Sequence, residues 1–294
     1  MTPKLLLQGL YTSLFIALVP LSAVPAQDSE REGGLTGTGI VGEITAIGDI
    51  IVNGQHIAVE ADLRVSSALG PKEASELVPG DVIAATVALG ETGWTATSIT
   101  ENHVLVGPVA HEGEGLFTVL GVPVTWSDPV TPGTWVVVSG FWTPDGIAAT
   151  RVQTIDQQDT FSFQGSYRAN SNGSPAMVGT LELDIDPLQH ANEGDIIRVT
   201  GVLHGEDLIV TDVHHGLFDH PVALVLAEGY LTSVAPSGHY TVAGSGLSAY
   251  TDNHQSIMTT ERITVCGLEG RLGLPDTREL GEQVERLGCL DYSQ

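Results

Sequence analysis

The chain has 294 residues, of which 36 are acidic and 11 are basic, and its formal net charge at neutral pH is −25. Such a charge repels phosphate backbones and anionic lipid surfaces, so binding to nucleic acid is disfavoured. No stretch after residue 26 is long and apolar enough to cross a bilayer as a helix, so we expect no membrane span.

The first 26 residues are typical of a secretory signal peptide. Lys4 supplies a positive charge, residues 11–19 form an apolar run, and residues 22–26 offer small side chains for cleavage. We therefore predict export, to the periplasm or out of the cell, with residues 27–36 as a flexible lead-in. After residue 26 only ten basic residues remain, and Lys72 is the single lysine among them.

One pattern recurs along the rest of the chain. A glycine, often followed by an acid, precedes a run of strand-forming residues that ends in a small residue and usually a glycine or valine. The pattern occupies residues 79–87, 132–140 and 193–201, and more weakly residues 260–267. Recurrence at intervals of this size indicates an array of one small structural unit.

Each unit also begins with a hairpin and ends with a closing strand. In the first unit, Asn53-Gly54 separates two strand-like runs and is a strong signal for a tight hairpin turn. About five short strands per unit, with little helical periodicity, predict an all-β chain. We expect a tandem array of four small five-stranded barrels of the OB or SH3 type.

We place the barrels at residues 37–102, 103–157, 158–216 and 222–274, and refer to them as repeats one to four; the fourth is divergent. Short linkers predict that neighbouring barrels contact each other in a semi-rigid rod. Residues 275–294 are predicted to form a short amphipathic C-terminal helix and a tail, because Leu280, Val284 and Leu287 recur at helical spacing before Gly288. Cys266 and Cys289 are predicted to form a disulfide, which suits an oxidising compartment.

The hairpin, the Asn-Gly turn, the glycine-acid strand and the closing strand together resemble an uncharacterised family of exported bacterial proteins. Its members are built from tandem small β-barrels and are known only as a domain of unknown function. The resemblance covers about Gly37 to Val213 and extends loosely over repeat four. It implies the repeat fold and a location in the cell envelope, and it carries no catalytic residue and no ligand.

Three histidines lie close together in the sequence after a predicted closing strand. His214, His215 and His220 are accompanied by Asp212 and Asp219. Imidazole and carboxylate ligands suit a divalent cation such as zinc, copper or nickel. Adjacent histidines on a strand point to opposite faces, so a polar linker between barrels is the alternative interpretation.

Trp142 is a candidate ligand platform. It precedes the Pro144-Asp145-Gly146 turn in repeat two, and exposed aromatic rings stack on carbohydrates or peptides. Packing of Trp142 in the core is the alternative.

Three hypotheses about function follow. The sequence shows no nucleophile elbow, zinc-protease helix or Cys-His pairing, so the first is a non-enzymatic envelope protein whose repeats form a binding or scaffolding surface for a protein or polymer. The second is a periplasmic divalent-metal-binding protein that uses His214, His215 and His220. The third is an enzyme that acts on an envelope polymer.

Overall fold

The fold is nearly all β, with one short α-helix among the described residues. The computed structural model describes residues 37–113, 115–169, 176–183, 191–205, 207–234, 239–250, 260–268, 271–272 and 281–289. The predicted signal peptide and lead-in lie outside the described residues.

Repeat one folds into a closed five-stranded barrel. The repeat contains seven strands, of which β4 and β5 lie outside the ring: β1 (Gly37–Ala46), β2 (Ile50–Val52), β3 (Gln55–Ala58), β4 (Arg64–Ser66), β5 (Lys72–Glu73), β6 (Val82–Gly90) and β7 (Gly93–Glu101). The ring runs β1–β2–β3–β7–β6 and returns to β1. The predicted Asn53-Gly54 turn is confirmed: it joins β2 to β3, and both residues have the positive φ angles (53° and 73°) that such a turn requires.

Repeat two pairs its strands in the same order. They are β8 (His103–Gly113), β9 (Leu116–Val119), β10 (Val122–Thr125), β11 (Trp135–Thr143) and β12 (Gly146–Ile155). The pairing runs β8–β9–β10–β12–β11 and returns to β8. As in repeat one, a single parallel pair joins the third strand to the closing strand.

Repeats three and four follow this order as far as they are described. Repeat three contains β13 (Thr160–Arg168), β14 (Ala176–Val178), β15 (Leu181–Leu183), β16 (Ile196–His204) and β17 (Asp207–His215). Repeat four contains β18 (Val222–Gly229), β19 (Leu231–Val234), β20 (His239–Val242), β21 (Leu247–Tyr250), β22 (Ile263–Leu268) and β23 (Arg271–Leu272). In repeat four the first strand is split at Tyr230, so that β18 pairs with β22 and β19 pairs with β20.

In repeats one to three, the recurring glycine-acid pattern ties the glycine-acid strand to the first strand of the same repeat. In repeat one the amide of Gly80 donates to the carbonyl of Ile44 (2.9 Å), and the amide of Ile44 donates to the carbonyl of Asp81 (2.8 Å). Gly80 has a φ of +93°, which glycine adopts without strain. The same two bonds join Val109 to Gly133 and Thr134 in repeat two, and Tyr167 to Gly194 and Asp195 in repeat three.

The glycine at the end of the pattern marks a β-bulge. The pairing register shifts between Ser139 and Gly140 in repeat two and between Thr200 and Gly201 in repeat three. A Cβ atom on Gly201 would overlap the carbonyl oxygen of Ile209 on the neighbouring strand. The pattern therefore ends in glycine because the bulge brings two backbones into close approach.

The prediction of a rod is wrong, because the first and last repeats are neighbours. Strand β1 pairs in parallel with β18, with Thr38 opposite Leu224 and Val41 opposite Ala227. Strand β8 pairs with β13, which joins repeats two and three. The first strand of each repeat thus pairs both with strands of its own repeat and with the first strand of another repeat.

Charged side chains also join the repeats. Arg262 of repeat four bonds Glu43 of repeat one (2.5 Å) and lies 3.3 Å from Glu228, and its guanidinium stacks over the Phe141 ring of repeat two at 5.1 Å. Arg151 of repeat two bonds the fully buried Asp81 of repeat one at 2.8 Å. Removing either partner of such a pair leaves the other charge partly buried and uncompensated.

The C-terminal segment packs on repeat one as well as on repeat four. The predicted disulfide between Cys266 and Cys289 is confirmed, with the two Cα atoms 5.7 Å apart. Helix α1 (Gly281–Leu287) ends at Gly288, whose φ is +68°, and Leu287 is buried in a core shared with both repeats. Residues 273–280, with the start of the predicted helix, lie outside the described residues. No helix in the described ranges has both the length and the apolar character needed to cross a membrane.

Substitution of Gly201 by alanine tests the bulge. Gly201→Ala is expected to lower the free energy of unfolding by roughly 2 to 3 kcal/mol, because the added Cβ meets backbone that cannot move aside. The matched control is Gly205→Ala, where φ is +67° and nothing lies within 4 Å, so only about 1 kcal/mol of backbone strain is expected. Urea unfolding measures both changes, and a smaller loss for Gly201→Ala than for the control would contradict the bulge.

Candidate ligand-binding clefts

The three predicted metal ligands are not brought together. His214 lies at the end of β17, where its Nε2 atom is 2.8 Å from Oδ2 of Asp212, and both side chains are more than half exposed. His215 and His220 instead line a cavity of about 510 Å³ that also contacts Asp195 and Asp219. The alternation of side chains along a strand explains why His214 and His215 separate.

No metal centre is assembled in the part of the chain that the structure describes. Among these residues, no group of three or more histidine, cysteine, aspartate or glutamate side chains lies close enough to hold a metal ion. Metal binding by His214, His215 and His220 stays a prediction.

The segment that carries His220 packs between repeats instead of bridging them loosely. Leu217 is buried, and Phe218 packs with it against Val41 of repeat one and Val225 of repeat four. The Phe218 ring occupies the space that a side chain at Gly39 would need. The segment between β17 and β18 therefore stabilises the junction and forms one wall of the histidine cavity.

Trp142 is buried, as the core-packing alternative predicts. Only 8% of the residue is exposed, its Nε1 donates to the carbonyl of Gln164 at 2.9 Å, and its ring lies 5.8 Å from that of Phe163. A side chain at Gly179 would meet the indole at 2.8 Å, and one at Gly244 would meet it at 3.3 Å. Trp142 of repeat two is thus held between repeats three and four.

A second cavity lies beside Trp142, and we name it the three-repeat cleft. It has a volume of about 490 Å³ and is lined by three repeats. Its walls include Trp142 and Asp145 of repeat two, Tyr167, Arg168 and Glu193 of repeat three, and Thr232 and Thr241 of repeat four. Trp142 therefore lines a cleft although most of the residue is buried, and its use as a ligand platform stays a prediction.

The rim of the three-repeat cleft carries both signs of charge. Arg168 donates through Nη2 to the carbonyl of Gly179 at 3.1 Å, and Oε2 of Glu193 accepts the amide of Ala169 at 2.8 Å. Asp145 is exposed in the turn between β11 and β12 of repeat two. These bonds fix two of the charged groups while leaving other donor and acceptor atoms free to meet a ligand.

A buried ionic cluster at the junction of repeats one and two was not found from the sequence. Oε1 of Glu101 accepts a bond from Lys72 (2.7 Å), and Oε2 lies 3.1 Å from Nε2 of His103; the Glu101 and His103 side chains are 2% and 4% exposed. Burial by itself raises the pKa of Glu101, but the bonds and charges of His103 and Lys72 outweigh it and lower the pKa from 4.5 to about 2. The available signal was three consecutive polar residues, Glu101, Asn102 and His103, where strand β7 meets strand β8.

Glu101 and His103 are residue types that form acid–base pairs in enzymes, but here their surroundings give them a structural role. Both side chains are almost fully buried, so a substrate does not reach them. Asn102 between them accepts a hydrogen bond from the buried Gln164 of repeat three. The cluster therefore holds three repeats together.

No protein-family profile, curated protein or solved structure matches this chain. The resemblance to exported tandem-barrel proteins therefore stays a prediction, and the clefts must be interpreted from their own residues.

Replacement of Glu101 tests the ionic cluster. Glu101→Gln is expected to lower the free energy of unfolding at pH 7 by on the order of 3 kcal/mol, because Lys72 and His103 lose a buried carboxylate. The pKa of Glu101 is lower in the folded protein, so its contribution is complete above about pH 4.5 and is lost as the pH falls toward 2. The difference between the two proteins should therefore shrink over that range.

Urea unfolding at pH 7, 4.5 and 3 measures this difference. The exposed Glu91→Gln variant is the control and should change stability little at any of these pH values. An equal loss for Glu101→Gln at pH 7 and pH 3 would show that the carboxylate charge is not what stabilises the junction.

Proposed function

We propose that the protein is an exported, non-enzymatic envelope protein whose four barrels together form a binding surface for a protein or polymer. The observation that carries this proposal is the three-repeat cleft, whose walls come from repeats two, three and four. A single small barrel has no room for such a site, whereas the junction of several barrels does.

The shared pairing order supports the division into four barrels. Repeats one and two each connect five strands in one ring, and the described strands of repeats three and four follow the same sequence of partners. The two backbone bonds at the glycine-acid turn recur in three repeats. We therefore propose that each of the other three repeats forms a closed ring like that of repeat one.

The proposal of export rests on the first 26 residues and on the disulfide. Disulfides persist in oxidising compartments, and Cys266 and Cys289 are joined. The choice of a binding protein over an enzyme rests on the sequence, where the patterns of nucleophilic catalysis do not occur. Metal binding is not proposed, because His214 lies apart from the cavity that His215 and His220 share.

A site-specific photocrosslinker tests the binding surface. Benzoylphenylalanine placed at Thr180, which is exposed at the three-repeat cleft, is expected to form an adduct with one envelope component after export. The same group at the exposed Glu60 of repeat one is the control and should not form this adduct. Absence of any adduct at Thr180, or the same adducts at both positions, would contradict the proposal.

A further inference from the structure

We infer that the Cys266–Cys289 disulfide is a redox-operated latch that holds helix α1 against repeat one. In the oxidised protein the helix is docked, and reduction of the disulfide releases the helix while the repeats stay folded. This inference goes beyond the proposed function, because it does not depend on what the three-repeat cleft binds.

Helix α1 joins the first and last repeats, which meet where β1 pairs with β18. On repeat one, Oγ1 of Thr38 donates to Oε1 of Gln283 at 2.9 Å, and Nε2 of Gln55 donates to the carbonyl of Leu287 at 3.3 Å. Cys266 belongs to repeat four and lies in β22, the neighbour of β18. The helix is therefore hydrogen-bonded to repeat one, while the disulfide ties its end to repeat four.

Helix α1 is too short to be stable by itself. It has seven residues and begins with a glycine, whereas isolated helices of fewer than about 12 residues are marginal in water. Its apolar anchors are the buried Leu287 and the half-buried Val284. The amide of Cys289 donates to the carbonyl of Val284 at 3.2 Å, which fixes this residue to the last turn of the helix. The disulfide therefore adds a covalent anchor directly at the end of a short helix.

The two disulfide-bonded cysteines differ in exposure. Cys266 is 3% exposed, whereas Cys289 is only half-buried. Disulfides are reduced by attack of a thiolate on one of the two sulfur atoms, so reduction requires access to at least one of them. Cys289 offers that access in the folded protein.

The exchange uses a dithiol as the reductant, either a small molecule or a protein. One thiolate of the dithiol attacks Sγ of Cys289, the S–S bond breaks, and Sγ of Cys266 leaves as a thiolate and takes up a proton. The second thiol of the dithiol then attacks the mixed disulfide, and Sγ of Cys289 leaves and takes up a proton. The dithiol is oxidised to a disulfide, and it supplies two electrons and two protons to the latch.

Repeats one and four are also held together by contacts that do not involve the disulfide. Strand β18 pairs with five residues of β1. Arg262 bonds Glu43, whose amide donates to Oε2 of Glu228 at 3.1 Å. Reduction is therefore expected to leave these repeats joined. Release of α1 uncovers the part of the repeat-one core in which Leu287 is buried.

Hydrogen exchange of the folded protein, with and without dithiothreitol, tests the inference. Reduction in native buffer should let two thiols per molecule react with an alkylating agent, because the chain has two cysteines. The amides of Gly288 and Cys289, bonded at the end of α1, should then exchange on the order of 100-fold faster, because a loop with a sequence separation of 23 loses its covalent closure. The amides of Ile44 and Val109 should keep their protection.

Two variants complete the experiment. Cys289→Ser cannot form the disulfide, so its α1 amides should exchange like those of the reduced wild type, with or without dithiothreitol. Glu285→Gln changes an exposed side chain of the same helix and is the matched control, which should respond to reduction as the wild type does.

Three outcomes would overturn the inference. Unchanged protection of α1 in the fully reduced wild type would show that the helix does not need the disulfide to stay docked. Loss of protection at Ile44 and Val109 as well would show that the disulfide stabilises the whole fold instead of the helix alone. Thiols that react only in denaturant would show that the disulfide is closed to reduction in the folded protein.

Discussion

The structure depends on two backbone hydrogen bonds at the turn before the glycine-acid strand of repeats one, two and three. In repeat one they join Ile44 to Gly80 and Asp81, and equivalent bonds recur in repeats two and three. They fix the start of this strand against the first strand of the same repeat, and in repeat one this pairing is part of the closed ring. A positive φ at the turn glycine is the condition for this geometry, which explains why the glycine recurs.

Packing between the repeats follows from their small size. A unit of this length buries too little apolar surface alone, so each repeat packs on others through strand pairing, through the Arg262 and Arg151 ion pairs, or through Phe218 at Gly39. The three-repeat cleft lies where repeats two, three and four converge, so the candidate site is a consequence of how the repeats pack.

Predictions from the sequence were correct where a structural feature is determined by a few neighbouring residues. The Asn53-Gly54 turn, the end of helix α1 at Gly288 and the all-β class were all predictable, because each follows from local backbone preferences. With only two cysteines, the Cys266–Cys289 pair was also predictable. The sequence pattern located the terminal Gly201 but did not reveal the bulge that requires it.

Contacts between distant residues could not be predicted. The bonds of Glu101 to Lys72, of Arg262 to Glu43 and of Trp142 to Gln164 depend on how the strands and the repeats are arranged in space, which no local pattern encodes. Short linkers were compatible with a rod and with the observed pairing of β1 and β18, so the sequence did not distinguish them. The three-repeat cleft was missed for the same reason, since its walls are assembled from residues more than 100 positions apart.

The most direct test of this account is native-state hydrogen exchange of the amides of Ile44, Val109 and Tyr167, which make the equivalent closing bond in three repeats. If the junctions make the repeats unfold as one unit, the free energy of exchange should be the same for all three amides and should equal the free energy of global unfolding. Three separate and lower free energies, one for each repeat, would show that the rings open independently and would contradict the account.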